Sequence, residues 1–109
     1  MAFDVLLETP EGPRSIECDS EEFIWNAAAR SGVRLPSICH QGRCLTCAGR
    51  LLLGDVDQSA ADAYFPEDRA AGFILLCTAK PRSALRIVTG QQWEMRQHRR
   101  FLGLPAPYA

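Results

Sequence analysis

Three cysteines stand close together in the stretch CHQGRCLTC, which runs from Cys39 to Cys47. Four residues separate Cys39 from Cys44, two residues separate Cys44 from Cys47, and Cys77 follows much later in the chain. Cysteines in such a pattern can form disulfides, ligate zinc, carry out redox catalysis or hold an iron–sulfur cluster. The spacing has to decide among these four kinds of chemistry.

The isolated position of Cys77 in the sequence helps to choose among zinc, redox-active thiols and an iron–sulfur cluster. A structural zinc site made of four cysteines usually has two separate C-x2–4-C pairs, and Cys77 has no second cysteine near it. A thioredoxin-like pair of Cys44 and Cys47 leaves the other two cysteines without a role. Two irons bridged by two sulfides need four thiolates, and C-x4-C-x2-C…C is the recognised spacing of plant-type [2Fe–2S] centres. The spacing favours the cluster, with zinc and redox thiols as the alternatives.

Composition indicates an ordinary folded domain and excludes several other classes. The chain has 109 residues, of which 47% are hydrophobic and 23% charged, and its net charge of −1 is too balanced for a nucleic-acid binder. We expect no membrane insertion and no signal peptide, because the chain has neither a long apolar run nor a basic start. These features predict a cytoplasmic protein with reduced thiols. Five cysteines is also an odd number, which fits poorly with a fully paired disulfide scaffold.

The first part of the chain predicts a hairpin followed by the main helix. Strands are expected at Phe3–Glu8 and Ser15–Cys18, with Cys18 as a buried apolar residue. Asp19 or Ser20 is expected to be the N-cap of the helix, with Glu22 as the capping-box partner. The apolar face at helical spacing consists of Phe23, Ile24, Ala27 and Ala28.

The second part predicts short strands and two further helical segments. Strands are expected at Arg50–Leu53, Phe73–Cys77 and Leu85–Thr89. Pro66–Ala71 predicts a single helical turn, and Gln91–Leu102 predicts a terminal helix. Because strands and helices do not alternate regularly, the pattern predicts an α+β roll and not a series of βαβ units.

Three stretches of the chain resemble the plant-type [2Fe–2S] ferredoxins. They are LPSICHQGRCLTCAGRL, the DQS of Asp57–Ser59, and AYFPEDRAAGFILLCTAKP. The resemblance covers roughly residues 3–89. It implies a β-grasp fold, a ubiquitin-like roll with a mixed sheet of four to five strands, one main helix and a cluster-binding loop. It further implies a ferredoxin-type domain at 1–90, followed by a C-terminal extension at 91–109 that is helical and then irregular.

The resemblance also implies a function and a set of ligands. Cys39, Cys44, Cys47 and Cys77 are expected to ligate one [2Fe–2S] cluster in a one-electron carrier that has no catalytic residues. Plant-type centres have potentials near roughly −400 mV, and we expect a low value of that kind. The expected partners are a ferredoxin reductase and an acceptor such as an oxygenase or a cytochrome P450, and the carrier is expected to be a monomer. A structural zinc or cofactor-assembly module without electron transfer is the alternative.

Several residues bear on partners and potential. Phe65 matches a surface aromatic that the family uses in partner contact. Asp19, Glu21 and Glu22 could together form an acidic face that docks a basic reductase. The chain departs from the family at Arg43, where the family usually has a small residue, and in its basic C-terminal segment. These departures make a photosynthetic reductase a less suitable partner.

We predict that Arg43 makes reduction of the cluster easier, because a positive charge in the cysteine loop stabilises the added electron. Replacing Arg43 by Ala should lower the midpoint potential, which can be measured by redox titration of the visible absorption. An unchanged or higher potential would contradict this role.

Overall fold

A computed structural model describes residues 1–36 and 45–106 of the chain. The strands are β1 Ala2–Thr9, β2 Gly12–Asp19, β3 Ala48–Leu53, β4 Val56–Asp57, β5 Phe73–Leu75, β6 Lys80–Pro81 and β7 Leu85–Val88. The helices are α1 Ile24–Arg30, α2 Pro66–Ala70 and α3 Gln92–Leu102. Within these described ranges, no helix has the length and apolar character needed to cross a membrane.

A mixed five-stranded sheet in the order β2-β1-β7-β3-β5 forms the centre of the fold. β1 and β7 run parallel, the other neighbours in this sheet are antiparallel, and β4 pairs with β6 in a separate two-stranded sheet. Val5 and Leu7 alternate with more exposed residues along β1, as expected for a strand with one buried face. They share one apolar core with Ile24 of α1. This arrangement confirms the predicted α+β class.

The β1–β2 hairpin is tighter than the sequence suggested. Thr9 pairs with Gly12, so only Pro10 and Glu11 form the turn, and β2 begins three residues before the predicted Ser15. Gly12 has a φ of 112°, a conformation that glycine adopts without a steric penalty. The early start of β2 is compatible with Pro13, because β2 is an edge strand and a proline there removes no sheet hydrogen bond.

The predicted N-cap of the main helix is wrong. Helix α1 begins at Ile24, and its N-cap, Phe23, provides no side-chain hydrogen bond. The backbone N–H of Asp19 does donate to Oε1 of Glu22 at 3.4 Å, and the N–H of Glu22 donates to the Asp19 carbonyl at 3.0 Å. These bonds close the turn after β2, before α1 begins. Acidic residues favour such turns as much as they favour helix caps, which explains the misplacement.

Helix α3 packs against α2 through a buried ion pair. The predicted terminal helix is confirmed, with its start one residue later, at Gln92. Arg99 and Asp68 are both fully buried, and three contacts of 2.7 to 3.2 Å join the guanidinium to the carboxylate. The same guanidinium lies 4.8 Å from the ring centre of Phe65. The helix is therefore an integral part of the packed body.

Replacing Arg99 by Met should destabilise the protein strongly, because the buried carboxylate of Asp68 loses its guanidinium and keeps only the imidazole of His98, 3.6 Å away. Breaking one side of a buried ion pair costs about 3–5 kcal/mol. The measurement is urea unfolding of the purified protein, with Arg100→Met as the control because Arg100 is exposed on the same helix. If the two variants unfold at the same urea concentration, the buried pair does not stabilise α3.

Candidate metal centre

Two of the four predicted ligands, Cys47 and Cys77, meet at one end of the β3–β5 pair. Cys47 directly precedes β3 and Cys77 lies two residues after β5, and these strands are antiparallel neighbours with Ala48 opposite Leu75. Both cysteines are buried, at 1% and 3% exposure, and their Sγ atoms are 2.9 Å apart. Two thiols this close can bind the same metal centre. The sheet thus brings the distant cysteine to the end of the cysteine stretch.

The other two predicted ligands, Cys39 and Cys44, lie outside the described residues, as do His40 and Arg43. In residues 1–36 and 45–106, no group of three or more His, Cys, Asp or Glu side chains can hold a metal ion. The ligand roles of Cys39 and Cys44 remain predictions.

The N-terminus of α1 holds the turn that carries Cys77. The first N–H groups of a helix have no partner within the helix. In α1, the N–H groups of Ile24 and Trp25 donate to the carbonyls of Ala79 and Leu76, each at 2.9 Å. These carbonyls lie on either side of Cys77, and they replace the side-chain cap that the sequence seemed to provide. Helix and cysteine turn therefore fix one another.

Gln58 holds the same turn from the open edge of the sheet. The side chain is 6% exposed; its Oε1 accepts a hydrogen bond from Leu75 N at 2.5 Å, and its Nε2 donates to Thr78 Oγ1 at 3.2 Å. Because β5 is the edge strand, the amide of Leu75 has no strand partner on this side. The Gln58 carboxamide satisfies the Leu75 amide, and its two partners, Leu75 and Thr78, lie on either side of Cys77 in the sequence. The resemblance marked Gln58 as part of a motif but assigned it no role.

Thr46 provides a test of whether the residues present fit an iron–sulfur group. It precedes Cys47, is 7% exposed, and its Oγ1 is buried without a hydrogen-bond partner in the described structure. A buried hydroxyl left in this state costs about 1–3 kcal/mol, so native proteins rarely leave one unpaired. A sulfur-rich anionic group beside Cys47 would supply an acceptor, and thiolates are the ligands that iron–sulfur clusters use. The donors fit such a group.

Cys18 is distinct from the predicted ligand set. Burial, with the nearby Glu22 carboxylate as the second cause, raises the pKa of its thiol to about 12. Its Sγ donates to the backbone carbonyl of Glu22 at 3.3 Å. A thiol with such a pKa stays protonated at neutral pH, whereas metal ligation requires the thiolate. This confirms the interpretation of Cys18 as a buried apolar residue of β2.

The acidic residues around the start of α1 already have cationic partners within the chain. Glu22 pairs with Arg30 at 2.8 Å, and the hydrogen bond from Arg30 lowers the pKa of the Glu22 carboxyl. Glu21 pairs with Lys80 at 3.4 Å, and Asp19 pairs with the terminal amine at 3.2 Å. Their charges are partly compensated before any partner arrives. Docking through this face remains a prediction.

Phe65 is half-buried and is shared between two helices. It is the N-cap residue of α2, and its N–H donates to Oδ2 of Asp68 at 3.0 Å. The guanidinium of Arg99 from α3 lies over its ring. The C-terminal helix therefore already covers part of the Phe65 ring. The predicted contact of Phe65 with a partner remains a prediction.

Comparison with known proteins identifies the class. Residues 8–82 match the model of the 2Fe-2S iron-sulfur cluster binding domain. The chain is 42% identical over 82 residues to Ferredoxin-2 of a Synechococcus species, covering 75% of this chain and 78% of that protein. The chain therefore belongs to the [2Fe–2S] cluster-binding family. It is an electron carrier of the ferredoxin type, and its cofactor is a [2Fe–2S] cluster.

Solved structures confirm the β-grasp fold. Pectocin M2 matches with a TM-score of 0.75 and 31% identity, over 84% of this chain and 33% of its own. The Amycolatopsis cytochrome P450 reductase GcoB matches with a TM-score of 0.69 and 31% identity, over 79% of this chain and 26% of its own. The chain thus corresponds to about a third and a quarter of these two larger proteins.

Replacing Gln58 by Leu should loosen the Cys77 turn, because Leu75 N and Thr78 Oγ1 lose their shared partner. A buried amide left unsatisfied costs about 1–3 kcal/mol. We expect faster loss of visible absorption on heating and an altered visible circular dichroism spectrum. Ser59→Ala is the matched control, since Ser59 is adjacent and exposed. If Gln58→Leu retains the cluster as long as this control does, Gln58 has no positioning role.

Proposed function

We propose that the thiolates of Cys39, Cys44, Cys47 and Cys77 hold the single [2Fe–2S] cluster of this carrier. The observation that carries the proposal is the buried approach of Cys47 and Cys77 across the β3–β5 pair, at 2.9 Å between their Sγ atoms. The C-x4-C spacing of the other two supports their inclusion. When bound, such a cluster takes up and releases one electron. We propose that this chain transforms no substrate and has no catalytic residue.

The chain's own residues keep the centre rigid and largely dry. Leu45 and Leu76 flank the two buried thiols in sequence and are themselves buried, at 0% and 1% exposure. An apolar shell of this kind limits access of water and lowers the local dielectric, which influences the potential. The hydrogen bonds from α1 and from Gln58 hold the Cys77 turn in one geometry. The backbone therefore needs little rearrangement when the charge at the centre changes.

We propose that the electron comes from a ferredoxin reductase and passes to an acceptor such as an oxygenase or a cytochrome P450. Similarity to a part of a cytochrome P450 reductase supports this class of partner. We further propose that the carrier works as a single copy in the cytoplasm, binds no nucleic acid, and consists of a ferredoxin-type domain at 1–90 with an extension at 91–109. The packing of α3 against α2 supports an extension that is folded onto the domain.

The proposal is tested by the metal content of Cys77→Ser compared with Cys18→Ala. The natural protein should purify red-brown, bleach with dithionite, and contain about two irons and two acid-labile sulfides per chain. Cys77→Ser should lose most of the cluster, because one thiolate is missing, whereas Cys18→Ala should retain it. A colourless protein that contains zinc, without iron or sulfide, would establish the structural alternative instead.

A further inference from the structure

The charges are distributed unevenly along the sequence. Residues 23–54 contain four arginines and no aspartate or glutamate. This segment includes α1, the cysteine stretch and β3, and therefore three of the four proposed ligands. Arg30 is paired with Glu22, so the excess positive charge of this segment comes from Arg34, Arg43 and Arg50, in a chain whose net charge is −1.

A groove of about 380 Å³ borders the segment that leads into this loop. One wall is the β1–β2 hairpin, the second is the chain from Gly32 to Pro36, and the third is the junction of β7 and α3 at Thr89 and Gly90. Pro36 is the last described residue before the cysteine stretch. Cys39 follows Pro36 by three residues, so the length of the chain keeps these two residues within about 11 Å of one another.

Two arginines lie on the rim of the groove. Arg14 comes from β2 and Arg34 from the segment after α1, and both are exposed. Among the residues that the structure describes, neither forms an ion pair or a hydrogen bond. By contrast, Arg69, Arg82 and Arg86 each pair with a carboxylate at 2.7 to 2.9 Å. The groove also contains the exposed carboxylate of Glu11, so two arginines face one acidic side chain and the groove keeps a net positive charge.

The walls of the groove are fixed by hydrogen bonds and include apolar surface. Trp25 Nε1 donates to the carbonyl of Leu35 at 2.8 Å, and Val33 N donates to that of Ala28 at 2.8 Å. Thr89 Oγ1 donates to the carbonyl of Glu8 at 3.1 Å on the opposite side. A groove that is already ordered loses little conformational entropy when it is occupied. Pro10, Leu35 and Pro36 contribute the apolar part of its lining.

We propose that this groove docks an acidic segment with apolar side chains on the surface of the redox partner. The argument is charge complementarity: the carboxylates would pair with Arg14 and Arg34, and the apolar side chains would contact the prolines and Leu35. The partner would thereby bind within three residues of Cys39 along the chain. This polarity is opposite to that of the acidic face around α1, whose carboxylates are already paired. The inference rests on the redox partners proposed above.

The test measures binding of two synthetic peptides to the cluster-loaded protein by fluorescence anisotropy. One peptide has eight glutamates around two central leucines, and the other has lysines in place of the glutamates. We expect the acidic peptide to bind and the basic peptide to bind at least tenfold more weakly. Arg14→Gln and Arg34→Gln should each weaken binding of the acidic peptide about two- to fivefold, as expected for one exposed charge pair.

Arg100→Gln is the matched control, because it removes one exposed arginine near the far end of α3. At 150 mM salt the screening length is about 8 Å, whereas nine residues of helix separate Gln91 from Arg100 by about 14 Å. The control should therefore change the affinity less than about 1.5-fold. The proposal fails if the basic peptide binds as well as the acidic one, if neither binds, or if Arg100→Gln has the same effect as the groove variants.

Iron and sulfide content, measured on the same samples, separates this proposal from the carrier function. Protein that contains its full cluster but does not bind the acidic peptide overturns only the docking groove. Protein without iron and sulfide overturns the carrier function, and the docking groove with it.

Discussion

The antiparallel pairing of β3 with β5 is the constraint on which the candidate centre depends. It places Cys47 and Cys77, thirty residues apart in the chain, within 2.9 Å of one another in a buried position. The hydrogen bonds around the Cys77 turn keep the two thiols in this position. The first amides of α1 hold the carbonyls on either side of Cys77, and Gln58 satisfies the edge of β5 that has no strand partner. A shift in the β3–β5 register would separate the thiols.

The packing around the centre explains why α1 lacks a side-chain cap. In a free-standing helix, unsatisfied N–H groups at the start would favour an Asp, Ser or Thr at the N-cap. Here those groups are used to hold the cysteine turn, so a self-sufficient cap would compete with the turn for the same donors. Phe23 at the N-cap has no side-chain acceptor, which leaves the first N–H groups of α1 free to bind the Cys77 turn of the candidate metal centre.

The sequence predicted the chemistry of the site more accurately than it predicted the local structure. The spacing of Cys39, Cys44, Cys47 and Cys77 was informative because thiolate number and loop length are direct requirements of a cluster. Most strands and the terminal helix followed from alternation and amphipathicity. The N-cap was misplaced because acidic residues favour turns and caps alike. The two-residue strands β4 and β6 were missed, and the role of Gln58 depends on how the chain passes the β5 edge. The Arg99–Asp68 pair joins residues 31 apart, and no local pattern reveals such a partner.

The central place of β7 in the sheet has a consequence for biosynthesis. β7 lies between β1 and β3 in the sheet. The β2–β1 pair and the β3–β5 pair therefore cannot join into one sheet until residues 85–88 have left the ribosome. Cys39, Cys44 and Cys47 are translated well before that point, and Cys77 only shortly before it. Cys47 is thus synthesised while the sheet that buries it is still incomplete. Because the sheet is complete only once β7 is in place, we expect the buried site beside Cys47 and Cys77 to form after residues 85–88 have been synthesised.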